Sequence, residues 1–388
     1  MDAFQCFLPK VLFGCGELQN IANYVSAYGQ KIFLAVDPFL AHRGFGDRVV
    51  SLLSDVAEEV VVFSEIDPDP DCFGVDTAAE IARQKKCDLV IALGGGSTID
   101  FGKGVAVMAT NPGTCWEYTR RKDHTPREPL SSTLPVIAIP TTAGTGSEIT
   151  HYAVFSNSEI KEKSTIVSEW IIPRLALVDP ELTYTCPKQL TALSGVDVLA
   201  HSIEAYINIH ASPWVRLVAL EAIRLVAAFL PAVVKNGEDR EARQKMAWAS
   251  TLGGIAIAHA NPTLPHALGQ AAGGFIHAPH GGSVAACLAK ILRISYTSDP
   301  KRFAEIALAM DPDVQKKPAE EQAEQAAVLV EKLLDQIQVN VRFGDFGMRA
   351  EDIDKITEIA LTGYFTGISC HPKLVTAEEI KQIYLDCL

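Results

Sequence analysis

Basic residues are scarce in this chain: 34 lysines and arginines stand against 47 aspartates and glutamates, a formal net charge of −13 at pH 7. No basic face is left to neutralise a phosphate backbone, so nucleic acid is excluded as the expected partner. Paired cysteines are missing as well. The nine cysteines are odd in number, irregularly spaced and contain no CxxC, a pattern of reduced thiols rather than of a disulfide framework or a zinc knuckle. An uninterrupted apolar run of membrane length is also absent. The most apolar helical stretch, residues 215–235, is broken by Arg216, Glu221 and Arg224 and reads as a buried helix. The start, MDAFQCFLPKVLFGCGE, carries Asp2 and lacks the basic region and apolar core of a secretory signal. The expectation is a cytoplasmic protein with no membrane partner. Neither an internal repeat nor a low-complexity tract occurs.

What is present is a chain of 388 residues, 48% hydrophobic, enough for a large core and more naturally two domains than one. Short β-branched runs at 31–37, 58–63, 87–93, 134–140 and 175–179 alternate with helical patterns. That alternation predicts a mainly parallel sheet covered by helices. Beyond DPELTYTCPKQ (179–189) the texture changes to long Ala- and Leu-rich segments with helical periodicity. The expected organisation is an α/β domain over residues 1–183 and an all-helical domain over 184–388.

Two glycine loops end predicted strands. CDLVIALGGGSTIDFGKG (87–104) places Gly95, Gly96 and Ser97 where a strand gives way to a helix, and PTTAGTGSE (140–148) places Thr141 and Thr142 in a similar turn. Glycines there let backbone N–H groups approach a ligand, and a helix N-terminus favours an anion such as a pyrophosphate. Neither loop is GxGxxG, and the acidic residue ending a strand, Asp37, precedes the GGGS loop instead of following it. The site is expected to be Rossmann-like in physics but different in chain order.

In LSGVDVLAHSIEAYI (193–207), Asp197 and His201 stand four residues apart and share one helical face. Downstream, residues 261–286 hold His266, His277 and His280 among small residues, which leave room for another element or a ligand close to the backbone. One carboxylate and three imidazoles would make a mixed nitrogen and oxygen site suited to a divalent first-row metal.

Taken together, GGGSTID, PTTAGTGSE, DPELT, GVDVLAHSIEAY and APHGG resemble the iron-containing (group III) alcohol dehydrogenase family, in order and over nearly the whole chain. The resemblance implies a dehydroquinate synthase-like architecture, with a Rossmann-like NAD-binding domain followed by an all-α metal-binding domain. It implies Asp197, His201, His266 and His280 as ligands of Fe(II), with zinc or another divalent ion able to occupy them. It places Asp37 at the adenosine ribose, Gly95, Gly96 and Ser97 at the pyrophosphate, and Thr141, Thr142 and Lys163 toward the nicotinamide. By motif position His151, Tyr152, Gly367 and Cys370 fall beside the substrate. Three departures stand out: Gln270 replaces a common histidine, His371-Pro372-Lys373 replaces an Asn-Pro-Arg segment, and Asp69 replaces an Asn of the adenosine pocket.

These implications describe an NAD(H)-linked dehydrogenase acting on a small alcohol or aldehyde, forming a homodimer or larger homo-oligomer. With Gln270 in place of the histidine, His277 becomes the candidate proton relay. The histidines His151, His277 and His371 favour an anionic head group, as in sulfoacetaldehyde. Two rival readings are a dehydroquinate synthase-like lyase and a non-catalytic filament-forming protein. The first should carry several Lys and Arg residues near the ligands, and these stretches have almost none.

Overall fold

Runs that are apolar at every position call for strands covered on both faces. In the computed structural model, which describes residues 4–121, 124–160 and 162–388, such runs form the middle of a sheet. Its strands are β1 (Lys10–Phe13), β2 (Lys31–Val36), β3 (Glu59–Phe63) and β4 (Leu89–Gly94). After the short β5 (Thr119–Arg120) come β6 (Val136–Pro140), β7 (Tyr152–Asn157), β8 (Glu162–Val167) and β9 (Leu175–Val178). Six strands make one sheet in the order β1-β9-β6-β4-β2-β3, parallel at every pairing. The remaining three form a small antiparallel sheet, β5-β8-β7.

Alternation assigns each residue of β2 to a face. Ile32, Leu34 and Val36 join Ile91, Leu93, Ile137 and Ile139 in one core, whereas Phe33 and Ala35 join Val90 and Val136 in another. The helices of this unit are α1 (Ala22–Val25), α2 (Pro38–Ala41), α3 (Phe45–Leu53), α4 (Cys72–Gln84) and α5 (Gly96–Met108). Residues of α3 complete the first core and those of α4 and α5 the second. From β2 the chain moves outward to β3, then returns to the other flank of β2 as β4 and continues to β6. This reversal makes a switch point at the carboxyl ends of β2 and β4, where open α/β sheets bind ligands.

By its internal contacts the chain forms two units, one comprising Phe7–Thr142 and Gly146–Tyr184, the other containing Thr185–Leu388 and Ala143–Thr145. The second contains α6 (Lys188–Ile207), α7 (Pro213–Lys235), α8 (Arg240–His259), α9 (Leu264–Ile276), α10 (His280–Ser295) and α11 (Pro300–Met310). It continues with α12 (Ala319–Gln322), α13 (Gln325–Gln336), α14 (Ile353–Gly363), α15 (Phe365–Ser369) and α16 (Ala377–Asp386). From Gly195 to Ile207 every residue of α6 is buried, so this helix is enclosed rather than amphipathic. α7 is long and apolar enough to cross a bilayer by length and composition. Its buried residues Val215, Ala219, Ala222, Val226 and Leu230 instead recur at helical spacing, and it packs along α6 and α8.

The small residues downstream of the Asp197 pair admit another helix rather than a ligand. A Cβ on Gly281 would lie 2.4 Å from the Leu193 carbonyl oxygen, and one on Gly269 would lie 3.0 Å from Val284 Cα. α10 therefore touches the backbone of α6 on one side and of α9 on the other, which brings His280 beside Asp197.

Candidate functional site

Helical spacing puts Asp197, His201 and Glu204 on one stripe of α6, all of them buried. His266 comes from the first turn of α9 and His280 from the first residue of α10. Asp197 Oδ1 lies 3.3 Å from His266 Nε2, 3.4 Å from His280 Nε2 and 3.7 Å from His201 Nε2. One ligand atom from each of the four residues can be chosen so that all lie within 4.8 Å of one another. Bonds of about 2.1 Å to a common ion put neighbouring ligands roughly 3 to 4 Å apart, so this spacing suits a single metal. The His201 and His266 rings stack at 4.5 Å between centroids. His280 is the open member, with its side chain 37% exposed.

Two buried atoms at this focus, Asp197 Oδ1 and His266 Nε2, have no hydrogen-bond partner. Unpaired buried polar groups are costly, and a cluster of them on potential ligands is what a metal would satisfy. Burial alone would raise the Asp197 carboxyl, but the imidazoles of His201, His280 and His266 hold it well below the usual carboxylate range. Burial pushes His201 down to about 4 against the pull of Asp197. Burial opposes the charged form of His266 too, yet Glu204 and Asp197 prevail and lift it to about 10. A field that favours positive charge on this ring also favours a cation beside it.

Glu204 is the residue that reading the sequence passed over. Its Oε2 meets His266 Nδ1, and its Oε1 accepts from the backbone N–H of Thr263 and of His266. The available signal was its position, seven residues after Asp197 on the same stripe.

In the α/β unit the strand register aligns Asp37 with the starts of the two glycine loops. Val36 pairs with Leu93 and Gly94 with Pro140, so the carboxyl ends of β2, β4 and β6 stand side by side. Asp37 follows β2, and its Oδ1 accepts from Phe39 N and Leu40 N, capping α2. Gly95 is the N-cap of α5 with no side-chain capping bond, and Gly96 and Ser97 form its first turn. The Thr141 N–H donates to the Gly94 carbonyl, and Thr142 borders Gly95. Lys163 forms an ion pair with Asp69 at 2.8 Å, and the Asp69 N–H donates to Ser97 Oγ at 3.3 Å. Lys163 and Asp69 are thus direct neighbours beside the first turn of α5.

Lys103 is a second residue whose role only the structure reveals. Wholly buried, it donates to Ser147 Oγ, the Thr150 carbonyl and the Tyr152 carbonyl at 3.0, 2.9 and 2.7 Å. Asp100 in turn holds Ser147 Oγ and the Val154 N–H. Together they anchor the end of the second glycine loop and the start of β7 on α5. Burial pulls Lys103 down to about 8.

The four candidates for the substrate pocket divide between the units. His151 packs edge-on against Phe7 and close to Tyr152 at the head of β7. In the helical unit, Gly367 lies against the Thr263 and Pro262 carbonyls, and buried Cys370 accepts from Ile209 N through its carbonyl. His277 is exposed and ends α9 in the left-handed region at φ 55°. His371 is buried, with its Nε2 at 2.8 Å from Ser295 Oγ and its Nδ1 at 3.1 Å from Thr263 Oγ1. Burial holds it neutral near neutral pH, at about 4, so it offers no positive charge to an anionic head group.

Comparison with known proteins matches both halves. A family model described as iron-containing alcohol dehydrogenase matches residues 9–180. Another, the C-terminal part of the Fe-containing alcohol dehydrogenase family, matches residues 191–388. A 1,3-propanediol dehydrogenase of Klebsiella pneumoniae is 34% identical over 362 residues, 92% of this chain and 92% of that protein. An NAD-dependent methanol dehydrogenase of Bacillus methanolicus is 31% identical over 381 residues, 98% of each. The crystal structure of sulfoacetaldehyde reductase from Bifidobacterium kashiwanohense in complex with NAD+ is similar with a TM-score of 0.89 at 28% identity, covering 100% of this chain and 99% of that one.

Proposed function

Since the chain belongs to the iron-containing alcohol dehydrogenase family and is an NAD-dependent alcohol dehydrogenase, we propose that Asp197, His201, His266 and His280 hold one divalent ion, Fe(II), and that the substrate is a small primary alcohol or its aldehyde. The observation that carries this is the convergence of four potential ligands with two buried, unpartnered ligand atoms, Asp197 Oδ1 and His266 Nε2, among them. Their donor set, one carboxylate and three imidazoles, accepts zinc as well as iron.

When bound, the ion supplies a Lewis acid that makes an alcohol more acidic, and NAD supplies the hydride acceptor. The chain's own residues prepare for both. Glu204 orients His266, and Gly281 lets α10 carry His280 up to Asp197. The free amides at the start of α5 favour the pyrophosphate, and Asp37 favours a ribose with both hydroxyls free. His277, exposed and three residues before His280, passes the substrate proton to solvent. A cytoplasmic homodimer or larger homo-oligomer completes the proposal.

The test is an anaerobic screen of small aldehydes and alcohols with the Fe(II)-loaded protein, read as NADH oxidised or formed. Steady turnover on short-chain members is expected, with sulfoacetaldehyde as the arm that reports an anionic head group. Absence of net NADH change with every member would sink the substrate reading and revive the lyase.

A further inference from the structure

The start of α9 is capped from another helix. Thr263, at the N-cap, makes no side-chain capping bond, and Pro265 brings no N–H. Of the remaining first amides, those of Thr263 and His266 donate to Glu204 Oε1 at 2.8 and 3.0 Å. The other oxygen, Oε2, faces His266 Nδ1. Glu204 is 0% exposed, so bulk solvent does not compete with these donors for its lone pairs. Thr263 Oγ1, 3.4 Å from the same Oε1, continues the network to His371 and Ser295.

An ionised carboxylate only accepts hydrogen bonds, so the ring nitrogen facing it carries a proton. Nε2 is then the nitrogen of His266 left to face the ligand cluster, where it lies 3.3 Å from Asp197 Oδ1. We propose that Glu204 is a positioning residue of the metal centre, fixing the orientation of His266 and the proton on its Nδ1 while it caps α9. The inference rests on the metal reading above and adds a residue that touches neither substrate nor ion. Carboxylates in this relation to a ligating imidazole characteristically set metal affinity.

Glu204→Gln separates the two roles. Its amide oxygen still accepts from the Thr263 and His266 N–H groups, whereas its NH2 faces Nδ1 and drives the ring proton to Nε2. The expected result is a folded apoprotein with a melting temperature near that of the parent, and Co(II) affinity weakened roughly 10- to 100-fold by chelator competition. Nitrogen NMR of the histidine-labelled apoprotein should show His266 Nδ1 protonated in the parent and unprotonated in Glu204→Gln, a change that a merely structural cap would not produce. Glu204→Asp, which keeps the charge, should recover part of the affinity. Parental Co(II) affinity with an unchanged His266 ring in Glu204→Gln overturns the proposal. If Glu204→Gln does not fold, Glu204→Asp is read by the same competition, and parental affinity there overturns it equally. His266→Ala is the control: if it too binds Co(II) as the parent does, the four-residue metal reading fails. If His266→Ala loses the ion and Glu204→Gln does not, only the positioning role falls.

Discussion

Gly281 stands directly over Leu193: a Cβ added to it would lie 2.4 Å from the Leu193 carbonyl oxygen. This contact sets how closely the first turn of α10 approaches α6. Gly281→Ala must push the helices apart, an overpacking cost of about 1–3 kcal/mol, and the shift carries His280 away from Asp197. Both a lower melting temperature and weaker metal binding are expected. Calorimetry with metal titration checks this, and unchanged affinity would show that His280 tolerates the displacement.

His266→Ala and His280→Ala should lose metal and turnover together while NAD binding, measured by fluorescence titration, persists. The ligands lie in the helical unit, and Asp37 and the first glycine loop in the α/β unit. His277→Ala should behave differently, keeping its metal but slowing turnover and altering its pH dependence. Full metal occupancy with normal turnover in either ligand variant is the result that defeats the assignment.

Asp37 uses Oδ1 to cap α2, and Oδ2 takes part in neither capping bond. A 2′-phosphate brought to this carboxylate meets a like charge, so NADH should be preferred over NADPH. Asp37→Ser keeps a capping oxygen and removes the charge, which isolates the electrostatic effect from the loss of a cap worth about 1 kcal/mol. The ratio of kcat/KM for the two cofactors should fall at least about tenfold in this variant, given that 1.4 kcal/mol is one decade. Equal efficiency with both cofactors in the parent protein would refute the role.

His371 makes acid stability sensitive to one buried ring. Burial lowers it from 6.5 to about 4. Below 6.5 the unfolded chain takes up a proton that the folded chain refuses until about 4. The stabilisation is therefore whole above the upper value and lost as pH falls through the window, on the order of 3 kcal/mol in total. His371→Asn, lacking an ionisable ring, should show a shallower fall of stability between those limits in denaturant titrations. Parallel curves for the variant and the parent would assign the acid sensitivity elsewhere.

Much of this architecture was written locally. Runs such as KIFLAV and LVIALG are apolar on both faces and read as central strands, and the glycines that follow the second are what a backbone approach to an anion calls for. Helical spacing puts Asp197 and His201 on one face, and the histidines downstream make them candidate ligands. Strand β1 was not foreseen, because four residues at a sheet edge gain their identity from pairing with β9, more than 160 positions away. Strands β7 and β8 are likewise set by pairing with each other. Glu204 shows the same division at the site. Its place on the stripe is a property of sequence, but its purpose depends on the first turn of α9 arriving 62 residues later with unanswered amides and an imidazole. Lys103 depends on Thr150 and Tyr152, and His371 on Ser295 and Thr263. Periodicity and backbone chemistry act between near neighbours, so the sequence by itself determined the central strands, the long helices and their buried faces. Hydrogen bonding between buried polar groups acts across the fold, so only the tertiary structure decided which carboxylate holds which histidine.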